Sequence, residues 1–277
     1  MKKFKNKIIC GDCIEVMKKM PSDSIDLVVT SPPYNVGIEY DGYSDRMSWS
    51  DYYKWSEKWL SEIYRVLKND GRLALNHYLS CGRGSASNAD SSAPSGRSAP
   101  LMEFNHVAQQ IGFKHHSIAV WLDITLSNKT AWGSYLSASA PYINSPFEGI
   151  LLLYKENWKK NNKGESDISK EDFINLTRGI WNIKTETHGK TMANFSIDLA
   201  KKCINLLSYI GDTVLDPFSG SGTTACAALL GQRNYVGIEQ SQKYCDITEY
   251  RIKETKENIC RTVTKSMIEW DDNAEET

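Results

Sequence analysis

Thr213-Val214-Leu215-Asp216-Pro217-Phe218-Ser219-Gly220-Ser221-Gly222-Thr223-Thr224 decides the fold: a short apolar strand, a glycine turn and the start of a helix. Gly220 and Gly222 let the backbone approach a ligand closely, and Thr223 or Thr224 is expected to cap the helix. The stretch is not a phosphate loop, because no Gly-Lys-Ser/Thr follows. It also lacks the dinucleotide spacing, since Ala225 stands where G-x-G-x-x-G needs its last glycine. Downstream, Asn234 to Glu239 reads as the next strand and ends in a carboxylate. Such a group facing the glycine turn can accept hydrogen bonds from both hydroxyls of a ribose. Asp216, beside the turn, can hold a cationic ligand group. Together these residues point to a nucleoside cofactor without a pyrophosphate.

Working outward, apolar runs occur at Ile25 to Thr30, Arg72 to Asn76, Ile118 to Leu122, Gly149 to Tyr154, Thr213 to Leu215 and Tyr235 to Ile238. Most are continuous rather than alternating, as in strands buried on both faces of a parallel sheet. Helical spacing separates them. Asp51 to Lys68 carries Tyr52, Trp55, Trp59, Ile63, Val66 and Leu67 on one face, with Asn69-Asp70-Gly71 as a stop. Further helices are expected at Ile197 to Leu207, Thr223 to Leu230 and Gln242 to Glu257. The alternation predicts an α/β domain with a doubly wound, mostly parallel sheet. Gly82 to Pro100 has almost nothing able to enter a core and reads as a mobile loop inside that domain. Asn157 to Lys170 is a second polar stretch, and Asp271 to Thr277 an acidic, frayed end.

A hydrophobic content of 40% in 277 residues excludes dominant disorder, and no apolar run is long enough for a bilayer. The basic start runs into only Ile8-Ile9, too short for a signal peptide, so the chain reads as cytoplasmic. Seven scattered cysteines suit reduced thiols, and Cys10-x-x-Cys13 has no second pair with which to make a metal site. A net charge of −1 supplies no global field for a polyanion, so nucleic-acid binding would rest on local patches. Those available are Lys155, Lys159, Lys160 and Lys163, and Arg83 with Arg97 in the long loop.

Asp26 to Thr30 runs into Ser31-Pro32-Pro33-Tyr34. Prolines cannot donate to a ladder, so the carbonyls just before them are free to point into the cleft at the strand's carboxyl end. A serine hydroxyl, a free carbonyl and an aromatic ring suit an exocyclic amine: two acceptors for its hydrogens and a face for its ring.

D-P-F-S-G-S-G-T-T strongly resembles the S-adenosylmethionine site of DNA amino-methyltransferases, and Ser31-Pro32-Pro33-Tyr34 resembles their catalytic motif. The catalytic motif precedes the cofactor motif by nearly two hundred residues, as in the circularly permuted beta class. The resemblance implies the Rossmann-like fold of S-adenosylmethionine-dependent methyltransferases, one domain over residues 1–277. Its catalytic part lies near 8–80, its DNA-recognition insertions within 82–180, and its cofactor part near 188–257. Catalysis falls to Ser31, Pro32 and Tyr34. Binding of S-adenosyl-L-methionine falls to Asp216, Phe218, Gly220, Gly222, Thr223 and Glu239. Asp12 joins them because Ile9-Cys10-Gly11-Asp12 is similar to a segment contacting adenine. Phe195 joins them from His188 to Ser196, although Gly189 and Ser196 replace prolines of the usual segment. No metal is implied.

The resemblance further implies double-stranded DNA as substrate and a nucleotide flipped into the Ser31 to Tyr34 pocket, with Tyr34 stacked on the base for about 1–3 kcal/mol. Methylation at cytosine C5 is excluded, because no Pro-Cys dipeptide occurs. Ser31 at the head of the motif favours cytosine N4, as do Thr130 to Tyr135 and Ser137 to Tyr142, which resemble a segment of cytosine-N4 enzymes. Adenine N6 is the alternative, and a catalytically inactive nucleic-acid-binding protein is the reading from another class. A cognate restriction endonuclease and a homodimer are both compatible with the chain.

Overall fold

Eight strands form one sheet in the order β1 (Lys7–Cys10), β10 (Asn234–Glu239), β9 (Thr213–Asp216), β2 (Ile25–Thr30), β5 (Leu67–Tyr78), β7 (Phe147–Tyr154), β6 (Lys114–Leu122), β8 (Ile180–Asn182). This computed structural model describes all residues except 36, 38, 41–42, 81–97, 123–133, 135, 142, 144–146, 184–194 and 275–277, with backbone alone at 39–40, 43–44 and 263–274. From β1 to β5 the strands are parallel; β7 runs antiparallel to both its neighbours. The doubly wound, mostly parallel sheet expected from the alternation is thus present. A short antiparallel pair, β3 (Glu39–Tyr40) and β4 (Tyr43–Ser44), stands apart from it.

Two apolar layers cover the faces. On one, α1 (Cys13–Met17), α2 (Trp49–Val66) and α3 (Pro100–Ile111) bury Met17, Tyr52, Trp59, Leu60, Ile63 and Phe104 against Val28, Leu73, Leu75 and Leu215. On the other, α4 (Lys170–Thr177), α5 (Ile197–Leu207), α6 (Thr223–Leu230) and α7 (Gln242–Ala274) bury Leu176, Leu199, Ile204, Ala227 and Ile252 against Leu27, Val29 and Val214. Alternate residues of one strand, Leu27 and Val28, serve opposite layers, which is why the strands read as unbroken apolar runs. Since β2–α2–β5 and β9–α6–β10 place their helices on opposite faces, the winding reverses between β9 and β2. Ligands bind at such a reversal, outside the carboxyl ends of the strands.

Several expectations shift. The helix expected over Asp51 to Lys68 is Trp49–Val66, opened by Ser48, whose Oγ accepts from Asp51 N at 3.1 Å. Asn69-Asp70-Gly71 is not a helix stop but lies within β5. There the pairing with β2 jumps from Ile25↔Leu67 to Leu27↔Arg72, and Lys68 reaches Asp26 at 2.6 Å. The last helix continues to Ala274, past both the expected Glu257 end and the start of the supposed frayed tail at Asp271.

The lysine patch is corrected in part: Lys159 and Lys163 are exposed, whereas Lys155 and Lys160 are tied down. Lys155 is buried on Asp23 (2.8 Å) and the Leu67 carbonyl (2.9 Å), and Lys160 lies between Asp26 (3.9 Å) and Asp212 (3.3 Å). Asp26 and Asp212 stand at the amino-terminal ends of β2 and β9, so this cluster belongs to the edge of the sheet opposite the ligand crevice. Residues 82–97 of the long loop, with Arg83 and Arg97, lie outside the described residues. Among the described residues no helix is long and apolar enough to cross a membrane.

Candidate active site

The carboxyl edge of the sheet brings together residues that the chain scatters. In spatial order from β1 to β7 they are Asp12, Glu239, Asp216, Ser31, Asn76 and Glu148. Because β7 is antiparallel, its amino-terminal end delivers Glu148 to the edge where the parallel strands deliver their carboxyl ends.

On the β9–β10 side, Asp216 is buried, and its Oδ1 accepts from Thr30 Oγ1 (2.7 Å) and Phe218 N (3.1 Å). The first bond joins the end of β2 to the end of β9. Burial lifts the Asp216 carboxyl to about 6, against the opposing pull of the Thr30 and Thr224 hydroxyls and Phe218 N–H. Glu239 faces the glycine turn: Oε2 accepts from Gly220 N at 2.8 Å, and Oε1 from Ser241 N at 2.9 Å. Each oxygen keeps a lone pair for a further donor.

Gly220 (φ +51°) and Gly222 (φ +83°) both take the left-handed backbone. Around a Cβ at Gly220 there is open space, whereas one at Gly222 would collide with Thr248. The first glycine thus faces a vacancy and the second a packed helix. Ser219 Oγ is buried with no partner among the described residues. A cradle with two carboxylates and a spare hydroxyl fits a hydroxyl-bearing nucleoside with a cationic group. Thr223 and Thr224 do not cap α6: Gly222 holds that place without a side-chain bond, and Thr224 Oγ1 instead reaches Val29 O (3.4 Å).

Asp12 caps α1, its Oδ1 accepting from Ile14 N (2.9 Å) and Glu15 N (3.0 Å), while Gly11 N donates to Glu239 O (2.8 Å). Phe218 packs on Trp55 and Trp59, and Phe195 on the α5–α6 layer. Residues 188–194 lie outside the described residues. Cys13 is a core thiol, pushed to about 12 chiefly by burial.

On the β2 side, Ser31 Oγ donates to Tyr34 Oη (2.9 Å), and Tyr34 Oη donates to Glu148 Oε2 (2.6 Å). Asn76 Nδ2 donates to Tyr34 Oη (2.7 Å) and Glu148 Oε2 (2.5 Å). Burial raises the Glu148 carboxyl, opposed by these bonds, and raises the Tyr34 phenol well above its ordinary value. Pro33 O is not free, since it accepts from Tyr52 Oη; among the described residues nothing donates to Pro32 O. The Tyr34 ring packs 4.4 Å from His77 and edge-on to Tyr78, so it is a fixed wall rather than a free platform. Beyond it, Asn35 (φ +56°) clamps the loop by paired bonds with Met47 and by Asn35 N donating to Asp45 Oδ1 (2.7 Å).

Asn76, His77 and Glu148 were not legible as site residues. Each sits inside or at the end of an apolar strand, and the only signal was a polar residue interrupting such a run. Of the segments linked to base choice, 130–133, 135 and 142 lie outside the described residues; Ser134 N donates to Ala140 O (3.0 Å).

Residues 25–250, a span holding both motifs, match the N6/N4-methyltransferase family described as DNA methylase. The chain is 44% identical over 168 residues to the type II methyltransferase M.MjaVI of Methanocaldococcus jannaschii, covering 61% of this chain and 81% of that one. It is similar in structure to TTHA0409 of Thermus thermophilus, a putative DNA modification methylase solved with S-adenosyl-L-methionine. That match has a TM-score of 0.70 and 26% identity, over 90% of this chain and 94% of the other. The cytosine-N4-specific PvuII DNA methyltransferase shares the fold at TM-score 0.63 and 20% identity, covering 88% of this chain and 85% of that one. With its two motifs at one edge of the sheet, the chain belongs to the DNA methylase family of N6 and N4 amino-methyltransferases.

Proposed function

We propose that the protein uses S-adenosyl-L-methionine to methylate the exocyclic N4 amine of a flipped cytosine in double-stranded DNA. The observation that carries this is the direction of the Ser31 hydrogen bond. Its only hydroxyl hydrogen points at Tyr34, so toward a ligand Ser31 can only accept, as Pro32 O can. Two acceptors on consecutive residues suit an NH2 group rather than a carbonyl.

Asp216, Glu239, Ser219 and the Gly220 backbone would hold the cofactor, with Phe218, Gly222 and Thr223 shaping the turn and Asp12 and Phe195 beside it. The cofactor supplies an electrophilic methyl group on a sulfonium. An aromatic amine is a poor nucleophile while its lone pair is shared with the ring. Ser31 and Pro32, by holding both hydrogens, favour a pyramidal nitrogen with its lone pair turned toward the methyl group. Tyr34 bounds the ring and fixes its position, so the protein contributes mainly orientation.

Ser31 is short and uncharged, which suits the smaller pyrimidine and supports cytosine over adenine. A single domain with DNA recognition carried within residues 82–180, a cytoplasmic location and a cognate restriction endonuclease complete the reading. Incubating plasmid DNA with protein and S-adenosyl-L-methionine, then analysing nucleosides by mass spectrometry, is expected to yield N4-methylcytosine. N6-methyladenine would overturn the base choice alone.

A further inference from the structure

Methylating an uncharged amine releases a proton, and the hydrogen bonds around Tyr34 dictate where it can go. Tyr34 Oη accepts from Ser31 and from Asn76, so its own hydrogen is committed to Glu148. Two donors, Tyr34 and Asn76, converge on Glu148 Oε2, which therefore acts as a carboxylate oxygen. Every hydrogen from Ser31 to Glu148 thus points away from the amine pocket and toward a single negative charge.

We propose that Ser31, Tyr34 and Glu148 form a proton relay that removes the amine proton during methyl transfer, with Asn76 as its positioning residue. As the amine nitrogen bonds the methyl carbon, the carbon–sulfur bond breaks and sulfur keeps that electron pair. The N–H bond facing Ser31 breaks with its pair left on nitrogen. The proton joins Ser31 Oγ, the Ser31 hydrogen moves to Tyr34 Oη, and the Tyr34 hydrogen moves to Glu148 Oε2. The amine ends neutral and the carboxylate ends as a carboxylic acid, so charge balances without any other reactant. The phenol and carboxyl are matched to this transfer, since burial keeps Tyr34 protonated at rest and raises the proton affinity of Glu148. Glu148 acts through Tyr34 and is a relay residue rather than one that touches the base.

The relay rests on the amine-methylation reading, and the test separates the two. Glu148→Gln keeps an acceptor for Tyr34 but removes the charge. Its single-turnover methyl transfer is expected to fall about 100-fold, with DNA and cofactor affinities unchanged. With cofactor saturating at every pH, so that Asp216 does not enter the rate, the wild-type rate is expected to drop in acid as Glu148 protonates, and the variant to lose that limb. The titratable groups facing Glu148 are Tyr34 from the loop after β2 and Tyr78, its cross-strand partner on β5; from β6 its cross-strand neighbour is Trp121. Difference infrared spectroscopy of the protein alone, wild type against variant, is expected to give a carboxylate band titrating at the same pH as the limb. A variant of wild-type speed, or a slow one that keeps the acid limb, would overturn the relay. If Glu148→Gln does not fold, Tyr34→Phe decides, since it breaks the chain but keeps the ring and the charge; full activity there would also overturn it. No methylated amine from the wild-type protein would remove the methylation reading itself, whereas methylated product with a fast Glu148→Gln removes only the relay.

Discussion

Ser31 and Asp216 are joined through Thr30, the residue before one and the partner of the other, yet the two sites call for opposite behaviour in solution. Ser31→Ala removes an acceptor for the amine and nothing from the cofactor cradle. Single-turnover transfer is expected to slow by about 100-fold while cofactor affinity, measured by calorimetry, stays level. Glu239→Ala is expected to weaken cofactor binding by roughly 10- to 100-fold, the worth of hydrogen bonds to a charged acceptor. Asp216, held at about 6 by burial, must be ionised to attract a cation. S-adenosyl-L-methionine affinity is therefore expected to fall as pH drops through about 6, and Asp216→Asn to bind weakly with that dependence flattened. A wild-type affinity constant from pH 7.5 to 5 would remove Asp216 from the cradle.

At the scale of elements, the two glycines of the turn before α6 do different work. Gly222 has φ +83° and its missing Cβ is filled by Thr248, so Gly222→Ala must strain both backbone and helix packing. It is expected to cost about 2 kcal/mol or more of stability in denaturant unfolding. Gly220 faces open space at φ +51°, so alanine there costs at most the backbone penalty but fills the ligand's place. Gly220→Ala is expected to remain folded and to lose cofactor affinity, the reverse of Gly222→Ala. The bulge at 67–71 shows the same division of labour. It lengthens β5 at the edge away from the site while leaving Asn76 in register beside Ile150 at the other.

Across the whole molecule the two edges of the sheet are chemically distinct. The amino edge is tied by buried ion pairs, Lys160 on Asp26 and Asp212 among them, and Lys160→Ala would leave those carboxylates without it. About 3 kcal/mol of lost stability is expected, with the salt dependence of DNA affinity unchanged. The carboxyl edge instead buries a titratable ring whose Nδ1 has no hydrogen-bond partner among the described residues. His77 is buried there against Tyr52, and burial lowers its pKa to about 3 from 6.5. A histidine depressed in the folded state contributes stability above its unfolded value and loses it as pH falls toward the folded one. Between pH 6.5 and 5 this amounts to roughly 2 kcal/mol, and His77→Gln is expected to remove that part of the acid sensitivity.

Sheet class, the glycine turn, the Ser31 corner and the carboxylate at Glu239 were all legible in the residues, because each depends on local physics: side-chain periodicity, proline's missing donor and glycine's backbone freedom. Helix ends and the 67–71 bulge were less so, since Asn69-Asp70-Gly71 satisfies the local rules for a helix stop and only pairing with β2 absorbs it into a strand. Lys155 and Lys160 were misread as free surface charge because charge in a sequence has no address. Only the antiparallel course of β7 sends Lys155 and Lys160 to the far edge and Glu148 to the near one. By itself the sequence determined which serine-proline and glycine-turn corners the chain contains. The tertiary structure decided that they meet through Thr30 and Asp216, and that a carboxylate more than a hundred residues away closes the hydrogen-bond chain, because strand order and direction are settled by long-range pairing.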